Sequence, residues 1–282
     1  MPKRAKQTRF AAIRVRFEAY APPPGVWAWV YEFLLFGFKQ GWACLFGALL
    51  LALLLLTHLL YPAGAGLPRY DFLTVAAILI QIAMLTLRLE TWDEAKVILA
   101  FHVVGTVMEL FKTAAGSWAY PEAAYLRIAG VPLFSGFMYA AVGSYIARIW
   151  RIFDMHIMAA PPFWLATLVG VAIYINFFTH HYILDARFAL FGVLAALFWK
   201  TKVSFKVWRP IRRMPMLLGW FLVAAFIWFA ENISTFSNAW VYPDQTLTWS
   251  MVSPTKLGAW YLLMYISFML VAAVNRSSWH RT

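Results

Sequence analysis

The chain has little charge and almost no cysteine. Only 13% of its 282 residues are charged, against roughly 25% in a typical soluble domain, and 63% are hydrophobic. The single cysteine, Cys44, excludes an internal disulfide and a cysteine metal cluster. The sequence has no P-loop, G-x-S-x-G or dinucleotide-binding glycine pattern, which argues against nucleotide-driven and serine-hydrolase chemistry, and we expect no cofactor. The apolar excess has to face lipid, so the composition predicts an integral membrane protein.

Eight apolar stretches divide the chain. Most of them reach the roughly 20 residues that a helix needs to cross about 30 Å of hydrocarbon. They predict an all-α, polytopic membrane protein with about eight transmembrane helices, because only helices satisfy their own backbone groups as single segments in lipid. The stretches are 38–60, 70–88, 94–115, 131–153, 161–181, 183–200, 214–236 and 254–275.

The positive charges are distributed unevenly between the two sides that these helices define. With both termini inside the cell, 19 of the 24 Lys and Arg residues fall on the cytoplasmic side. This asymmetry follows the positive-inside rule and accounts for the net charge of +12 without a nucleic-acid partner. The expected cytoplasmic segments are 1–36, 200–213 and 276–282. Membrane lipids are the expected surroundings, and the oligomeric state is left open.

The second half of the chain repeats the first at a shift of 122 residues. Eight identities occur in the 31 positions from residue 109 to residue 139, in the shared pattern E-x3-T-x4-W-x-Y-P-[ED]-x9-P-x3-G-x2-Y. An even number of helices in each copy gives both copies the same orientation. We therefore expect two parallel four-helix repeats, at 37–153 and 154–282, after a basic, proline-rich lead-in at 1–36.

A glutamate in each copy is the first candidate functional residue. Glu109 and Glu231 occupy corresponding positions near the outer ends of the third and seventh helices. His102, Thr106, Glu109 and Thr113 are spaced 4, 3 and 4 residues apart, which is one stripe of a helix, whereas the second copy has Ala224 in place of His102. Ionisable groups inside a membrane are functional candidates by default, although a structural hydrogen bond between helices is the alternative.

Aromatic residues follow each glutamate and are candidate substrate-binding residues, or alternatively belong to an interfacial aromatic belt. No metal site is predicted, and three histidines near the outer surface are only weak candidates for metal ligands because they lack a recognised spacing. The aromatic candidates are Trp118, Tyr120, Tyr139, Trp240, Tyr242 and Tyr261, and the histidines are His58, His180 and His181.

Three long segments carry a family resemblance. They are FKQGWACLFG, FHVVGTVMELFKTAAGSWAYPE and GVPLFSGFMYAAVGSY, which begin at Phe38, Phe101 and Gly130. They resemble the bacterial membrane family catalogued as domain of unknown function 817, over nearly the whole chain from Phe36 to Asn275. The resemblance implies a multi-pass protein of the bacterial inner (plasma) membrane and implies no activity.

A second, fainter resemblance is to carotenoid-modifying membrane proteins of the lycopene cyclase and carotenoid hydratase type. It depends on an acidic residue on a membrane helix, an aromatic pair and a Val-Pro opening of the next helix, and Glu109, Trp118, Tyr120, Val131 and Pro132 fit that outline. The resemblance implies that the acid protonates a carbon–carbon double bond. Trp118 departs from the pattern, since a smaller or different aromatic is expected there.

Two functions compete on this reading. As an enzyme, the protein uses Glu109 as a general acid on a lipid or isoprenoid substrate, with His102 resupplying the proton and the π faces of Trp118 and Tyr120 stabilising a carbocation. As a transporter, it binds a proton or cation at its carboxylates and couples this to movement of a small solute. The loss of the His102 counterpart favours an enzyme with one catalytic half, in which Glu231 matters less. A structural or assembly role is the third possibility.

Overall fold

The computed structural model describes residues 9–280 and is mainly helical. Four of the basic residues expected on the cytoplasmic side, Lys3, Arg4, Lys6 and Arg281, lie outside the described residues. Ten α-helices occur in this part of the chain. They are α1 Arg9–Ala19, α2 Val26–Ala43, α3 Leu45–Leu60, α4 Arg69–Thr86, α5 Trp92–Ala114, α6 Phe134–Ile152, α7 Phe163–Thr179, α8 Arg187–Phe198, α9 Met216–Phe236 and α10 Thr255–Val274.

Helices cover all eight predicted stretches, but not all of them are long and apolar enough to cross a membrane. By length and composition, four helices could cross a membrane, namely α4, α5, α9 and α10. The pair α2 and α3, bent by 69° at Cys44, raises the number to five at most within residues 9–280. Helix α8 has 12 residues and is therefore about 18 Å long, well short of the roughly 30 Å of hydrocarbon. The expected count of eight is thus not reached, while the several long apolar helices indicate a membrane protein.

Helix α2 crosses the boundary expected at residue 36 and carries two buried charges. Lys39 is 1% exposed, and its Nζ donates to Glu18 and to the Val207 carbonyl, both at 2.6 Å. Glu32 accepts two hydrogen bonds from the Arg212 guanidinium. These contacts hold the N-terminal segment against the segment 200–213, which sequence reasoning treated only as a basic loop.

Short strands modify the all-α expectation. Three of them form an antiparallel sheet in the order β3-β4-β5 at one end of the bundle, and the other two form a small hairpin at the opposite end. Loops that pack on helix ends have to satisfy their backbone hydrogen bonds, and pairing with each other does so. The strands are β1 Arg127–Ile128, β2 Val131–Pro132, β3 His156–Met158, β4 Lys202–Lys206 and β5 Ile211–Pro215.

We call the end that carries β3–β5 the sheet end and the end that carries segments 115–133 and 237–254 the motif end.

Helix α5 packs along α6, and α9 along α10. A shift of α5 and α6 by 122 residues gives 214–236 and 256–274, within two residues of α9 and α10. At the motif end Ala119 and Val241, which correspond under the same shift, form an antiparallel bridge with N–O distances of 3.0 and 2.9 Å. The two W-x-Y-P segments therefore pair with each other.

Candidate functional site

A cavity of about 1120 Å³ extends through the bundle. Its lining includes Trp118 and Tyr242 at the motif end and Phe205 and Met214 at the sheet end. Helices α3, α6, α7, α9 and α10 supply most of the wall, and most of the side chains they contribute are apolar. The volume lies slightly above the range of roughly 300–1,000 Å³ usual for small-molecule sites. The cavity therefore has room for a long apolar molecule.

Glu109 lies on the cavity wall at the motif end, about one and a half turns before the end of α5. Its side chain is 3% exposed and accepts three hydrogen bonds. The Trp118 indole and the Tyr120 hydroxyl donate to Oε2 at 2.7 and 2.5 Å, and the Tyr139 hydroxyl donates to Oε1 at 2.7 Å. The structure thus brings together four of the predicted site residues around one carboxylate.

Glu231 occupies the corresponding place on α9 and is also 3% exposed on the cavity wall. It accepts hydrogen bonds from the Tyr242 hydroxyl at 2.5 Å and from the Trp260 indole at 2.8 Å. The Trp240 indole is not among the donors to this carboxylate in the described residues. Trp260 was missed by sequence reasoning because its counterpart under the 122-residue shift is Met138, so the repeat gives no signal there.

Tyr261, a predicted substrate-binding residue, does not reach Glu231. Its ring packs edge-on against Phe191, with centroids 5.9 Å apart, and against Trp220 at 6.4 Å. Its counterpart Tyr139 does bind Glu109, so the same residue at corresponding positions contacts the carboxylate in only one half. Trp260 supplies the second donor to Glu231 in its place.

The polar stripe on α5 does not form a hydrogen-bonded path. The Thr106 hydroxyl donates to the His102 backbone carbonyl at 2.7 Å, and neither His102 Nδ1 nor the Thr113 hydroxyl has a partner among the described residues. The His102 ring packs against Phe137, with centroids 4.3 Å apart, and does not line the cavity. A direct proton path from His102 to Glu109 therefore has no geometric support.

The three candidate histidines are separated by the fold. His58 packs against Phe236 with ring centroids 5.6 Å apart, whereas His180 and His181 lie together, 4.1 Å apart, at the motif end of the cavity. The Lys112 ammonium contacts both of these rings. In residues 9–280 no three His, Cys, Asp or Glu side chains are placed to hold a metal ion.

The tyrosines of the two W-x-Y-P segments are held in their protonated form. Burial raises the pKa of Tyr120 and of Tyr242 well above the usual value, and the adjacent Glu109 and Glu231 raise it further. Both hydroxyls therefore keep their protons at neutral pH and act as hydrogen-bond donors to the glutamates.

Basic residues at the motif end form a group that sequence reasoning did not select. We call Lys112, His180, His181, Arg187 and Lys256 the basic cluster; all five line the cavity. They come from α5, from the α7–α8 connection and from the starts of α8 and α10. The sequence signal that could have found Lys112 is its spacing, since it follows Glu109 by three residues and so shares its helix face.

A clamp of charged side chains holds the two motif segments in place. Arg69, at the start of α4, binds Glu122 through Nε at 2.8 Å and through Nη2 at 2.5 Å. Its Nη2 also donates to the Ser237 and Asn238 carbonyls of the second motif segment. Asp71 accepts from two backbone amides of the first segment, at residues 125 and 126. This clamp fixes the donors that surround Glu109.

The comparisons with known proteins agree with the resemblance drawn from the sequence. The family model described as a protein of unknown function, DUF817, matches residues 32–268. An uncharacterized protein of Bacillus subtilis (strain 168), YoaT, is 45% identical over 241 residues, which cover 86% of this chain and 90% of that protein. No solved structure matches. The chain therefore belongs to the DUF817 family.

Proposed function

We propose that this protein is a membrane-embedded enzyme that binds a lipid or isoprenoid molecule in the central cavity and transfers a proton to it from Glu109. The observation that carries the proposal is the position of Glu109, a buried carboxyl group on the wall of a large apolar cavity with three donors already aimed at its oxygens. An apolar cavity selects an apolar substrate, and a carboxyl group is the acid available within it.

The donors around Glu109 support a role as a general acid. When the proton leaves, negative charge develops on a carboxylate that already faces the Trp118 indole and two tyrosine hydroxyls. Donors that are in place before the charge develops stabilise the transition state without reorganisation. While Glu109 is protonated, the Tyr139 hydroxyl can accept the proton on Oε1 as a hydrogen bond, since a hydroxyl group both donates and accepts.

The electrostatic surroundings favour Glu109 over Glu231 as this acid. Lys256 lies close enough to Glu231 to act on it electrostatically, whereas the main influences on Glu109 are its burial and its three neutral donors. A carboxyl group that is surrounded mainly by neutral groups is better suited to carry a proton. Glu109 is thus favoured over Glu231, as the sequence predicted from His102, but because of the surrounding charges and not because of a proton path.

A proton- or cation-coupled transporter is the second candidate. It is favoured by the fact that both glutamates, from corresponding helices, line one cavity that extends between the two ends of the bundle. In that case both carboxylates bind the coupled proton or cation, and loss of either one abolishes transport. The effect of Glu231→Gln therefore discriminates between the two functions.

The topology that we propose has eight membrane crossings in two parallel four-helix repeats, related by a two-fold axis along the membrane normal, in the bacterial inner membrane with both termini in the cytoplasm. The 122-residue repeat, the Ala119–Val241 bridge and the 19 basic residues on one side support it. A reporter that is active only in the cytoplasm, fused after Thr282, should be active. An inactive cytoplasmic reporter, together with an active exported one, would contradict the eight-helix count.

The catalytic proposal is tested first by comparing lipid and pigment extracts of cells with and without the protein. If a product appears, Glu109→Gln should lower its amount by about 100-fold or more, which is the usual contribution of a general acid. Glutamine keeps the size and one acceptor oxygen, and its amide group can donate to the Tyr139 hydroxyl, but it cannot give up a proton. Glu231→Gln should lower it by less than about tenfold. Amounts of protein in the membrane are measured for both variants.

A product that persists with Glu109→Gln would exclude Glu109 as the acid and leave it a structural role. Equal, complete losses in both variants, with normal amounts of protein, would favour the transporter. Extracts that do not differ, together with a solute gradient that depends on the protein, would favour it as well.

A further inference from the structure

Lys112 is a buried cation without an acidic partner. Its residue is 4% exposed, and no carboxylate lies within 4 Å of its ammonium group in residues 9–280. Its contacts are with His181 Nε2 at 2.9 Å, His180 Nε2 at 3.5 Å and the Phe177 ring at 4.1 Å. None of these groups carries a negative charge, although a buried charge is costly unless it is paired.

The acids at this end of the cavity are already engaged elsewhere. Glu109 accepts from three aromatic donors and Glu231 from two, as described above. Asp185 accepts from the Arg187 guanidinium at 2.6 Å and from the Asn176 amide at 3.2 Å. Lys256, the other lysine of the basic cluster, lies over the Tyr242 ring at 4.2 Å and has no ion pair among the described residues. Neither ammonium group therefore has an ion pair within 4 Å among the described residues, and Glu231 and Asp185 act on them only from farther away.

We propose that the motif end of the cavity binds the anionic head group, a phosphate or a carboxylate, of an amphipathic molecule whose hydrocarbon chain fills the apolar remainder. The inference rests on the proposed function, because it specifies the class of lipid or isoprenoid that occupies the same cavity. Lys112 and Lys256 supply the positive charge, and the His180 and His181 rings, whose Nε2 atoms accept from Lys112, orient its ammonium group. Charge-assisted hydrogen bonds to phosphate or carboxylate oxygens are among the strongest in proteins.

His181 lies beside the same lysines. Partial desolvation and the positive charges of Lys112, His180 and Lys256 lower its pKa, so the ring is neutral and its Nε2 accepts from the Lys112 ammonium group. An anion bound here would face both lysines.

The distribution of polar groups also fixes the orientation of the ligand. The basic cluster lies at the motif end, whereas the lining at the sheet end includes Phe36, Val203, Phe205 and Met216. A head group at the basic cluster places the start of the hydrocarbon chain beside Glu109 and Glu231 and its far end beside the sheet. The carboxyl group of Glu109 then faces the portion of the chain nearest the head group.

The test uses the full-length protein in nanodiscs of phosphatidylcholine, with empty nanodiscs as the partition control. Three probes are titrated: farnesyl phosphate, farnesol and inorganic phosphate. The wild-type protein should bind farnesyl phosphate at least about tenfold more tightly than farnesol, since one charge-assisted contact contributes that much. Inorganic phosphate, which lacks the hydrocarbon chain, should compete only at far higher concentration.

Variants locate the head-group site. Lys112→Gln should bring the affinities for farnesyl phosphate and farnesol within about threefold of each other, with farnesol binding unchanged, and Lys112→Arg should restore the preference. Lys96→Gln is the matched control, because it removes one positive charge from a lysine whose side chain is 76% exposed at the other end of α5. It should leave both affinities unchanged. Lys256→Gln is the second test, should Lys112→Gln fail to accumulate.

The possible outcomes separate the head-group site from the apolar cavity. Equal binding of farnesyl phosphate and farnesol by the wild-type protein would overturn the head-group site and leave the apolar cavity as proposed. Failure to bind either probe would count against both proposals. Binding of inorganic phosphate as tight as that of farnesyl phosphate would show a site for a free anion and overturn the amphipathic ligand. A preference that survives both Lys112→Gln and Lys256→Gln would overturn the assignment of the site to the basic cluster.

Discussion

The two halves of the motif end share their acceptors and differ in their donors. Glu109 and Glu231 lie at the same depth on corresponding helices, and each is bound by the tyrosine of its own W-x-Y-P segment. The remaining donors are unrelated: Trp118 and Tyr139 on one side, Trp260 on the other. Two corresponding positions thus both hold a buried acid, although the residues that donate to it differ.

The difference extends to the surrounding charge. The first half contributes Lys112 to the basic cluster, and the second contributes Lys256, His180, His181 and Arg187. Lys112 and Lys256 do not correspond under the 122-residue shift, since residue 234 is Ser and residue 134 is Phe. The two glutamates therefore occupy corresponding positions, whereas the positively charged residues do not. Because the positive charges lie at one end of the cavity, its two ends differ chemically.

The largest expected difference in stability concerns the arginines at the starts of α4 and α8. Arg69 is 7% exposed and binds a carboxylate and two carbonyls, whereas Arg187 has a 30% exposed side chain and binds the neighbouring Asp185. Arg69→Met should lower the free energy of unfolding by about 2–3 kcal/mol, because it removes the donors to the partly exposed Glu122 carboxylate and to the carbonyl of the buried Ser237. Arg187→Met should lower it by less than about 1 kcal/mol.

Thermal unfolding in detergent, followed by intrinsic fluorescence, measures both variants. Equal losses would contradict the clamp, because they would mean that the two motif segments do not depend on Arg69 for their position.

The two tyrosines at the corresponding positions on α6 and α10 give a smaller difference. Tyr139 donates to Glu109, while the Tyr261 hydroxyl makes no hydrogen bond within residues 9–280. Tyr139→Phe should lower the free energy of unfolding by about 1–3 kcal/mol, the usual cost of leaving a buried polar group without one of its partners. Tyr261→Phe should change it by less than about 0.5 kcal/mol, as is usual away from such contacts. A stability unaffected by Tyr139→Phe would mean that this hydroxyl does not bind the carboxylate.

The third comparison uses the two corresponding glycines, Gly136 and Gly258. A Cβ atom at residue 136 would lie 2.5 Å from His102 Nδ1 and 2.6 Å from the Thr106 hydroxyl, whereas one at residue 258 would lie 3.1 Å from the tip of the Phe191 ring. Gly136→Ala should therefore lower the free energy of unfolding by about 1–3 kcal/mol, since α5 and α6 would have to separate. Gly258→Ala should cost less than about 1 kcal/mol, because the Phe191 ring can move.

The same unfolding assay measures this pair. The loss with Gly136→Ala should become smaller but should not disappear in the double variant with His102→Ala, because the Thr106 hydroxyl would still lie 2.6 Å from the added Cβ atom. Equal stability of the two alanine variants would contradict the close approach of α5 and α6.

The sequence predicted the site residues that are identical under the 122-residue shift. It did not predict those whose counterpart is a different residue. Periodicity and composition predicted the helices, and the 122-residue shift predicted Glu109, Glu231 and the tyrosines beside them. Trp260 could not be predicted, because its counterpart is Met138 and only the packing of α9 on α10 brings it to the carboxylate. The strands of segment 200–213 were not predicted either, since β4 also pairs with β3, which is distant in the sequence.

The bounds of the stretch 183–200 show the limit of hydropathy alone. The stretch 183–200 was read as a span, yet α8 begins only at Arg187 and ends at Phe198. The intervening residues, including Asp185, bond to the end of α7 and so form a connection instead of a helix. Length in residues predicted an apolar segment correctly, but side-chain hydrogen bonds determined how much of it is helical.

The central claim, that the cavity holds a lipid-like molecule, is tested most directly by photolabelling in native membranes. A diazirine placed on a long-chain isoprenoid phosphate should label residues of the cavity wall such as Met138 and Leu263, and excess unlabelled isoprenoid phosphate should abolish that labelling. Leu79, which lies on α4 with 59% exposure, should be labelled weakly and without competition, as expected of a lipid-facing residue. Labelling confined to exposed residues such as Leu79, with none on the cavity wall, would contradict the account.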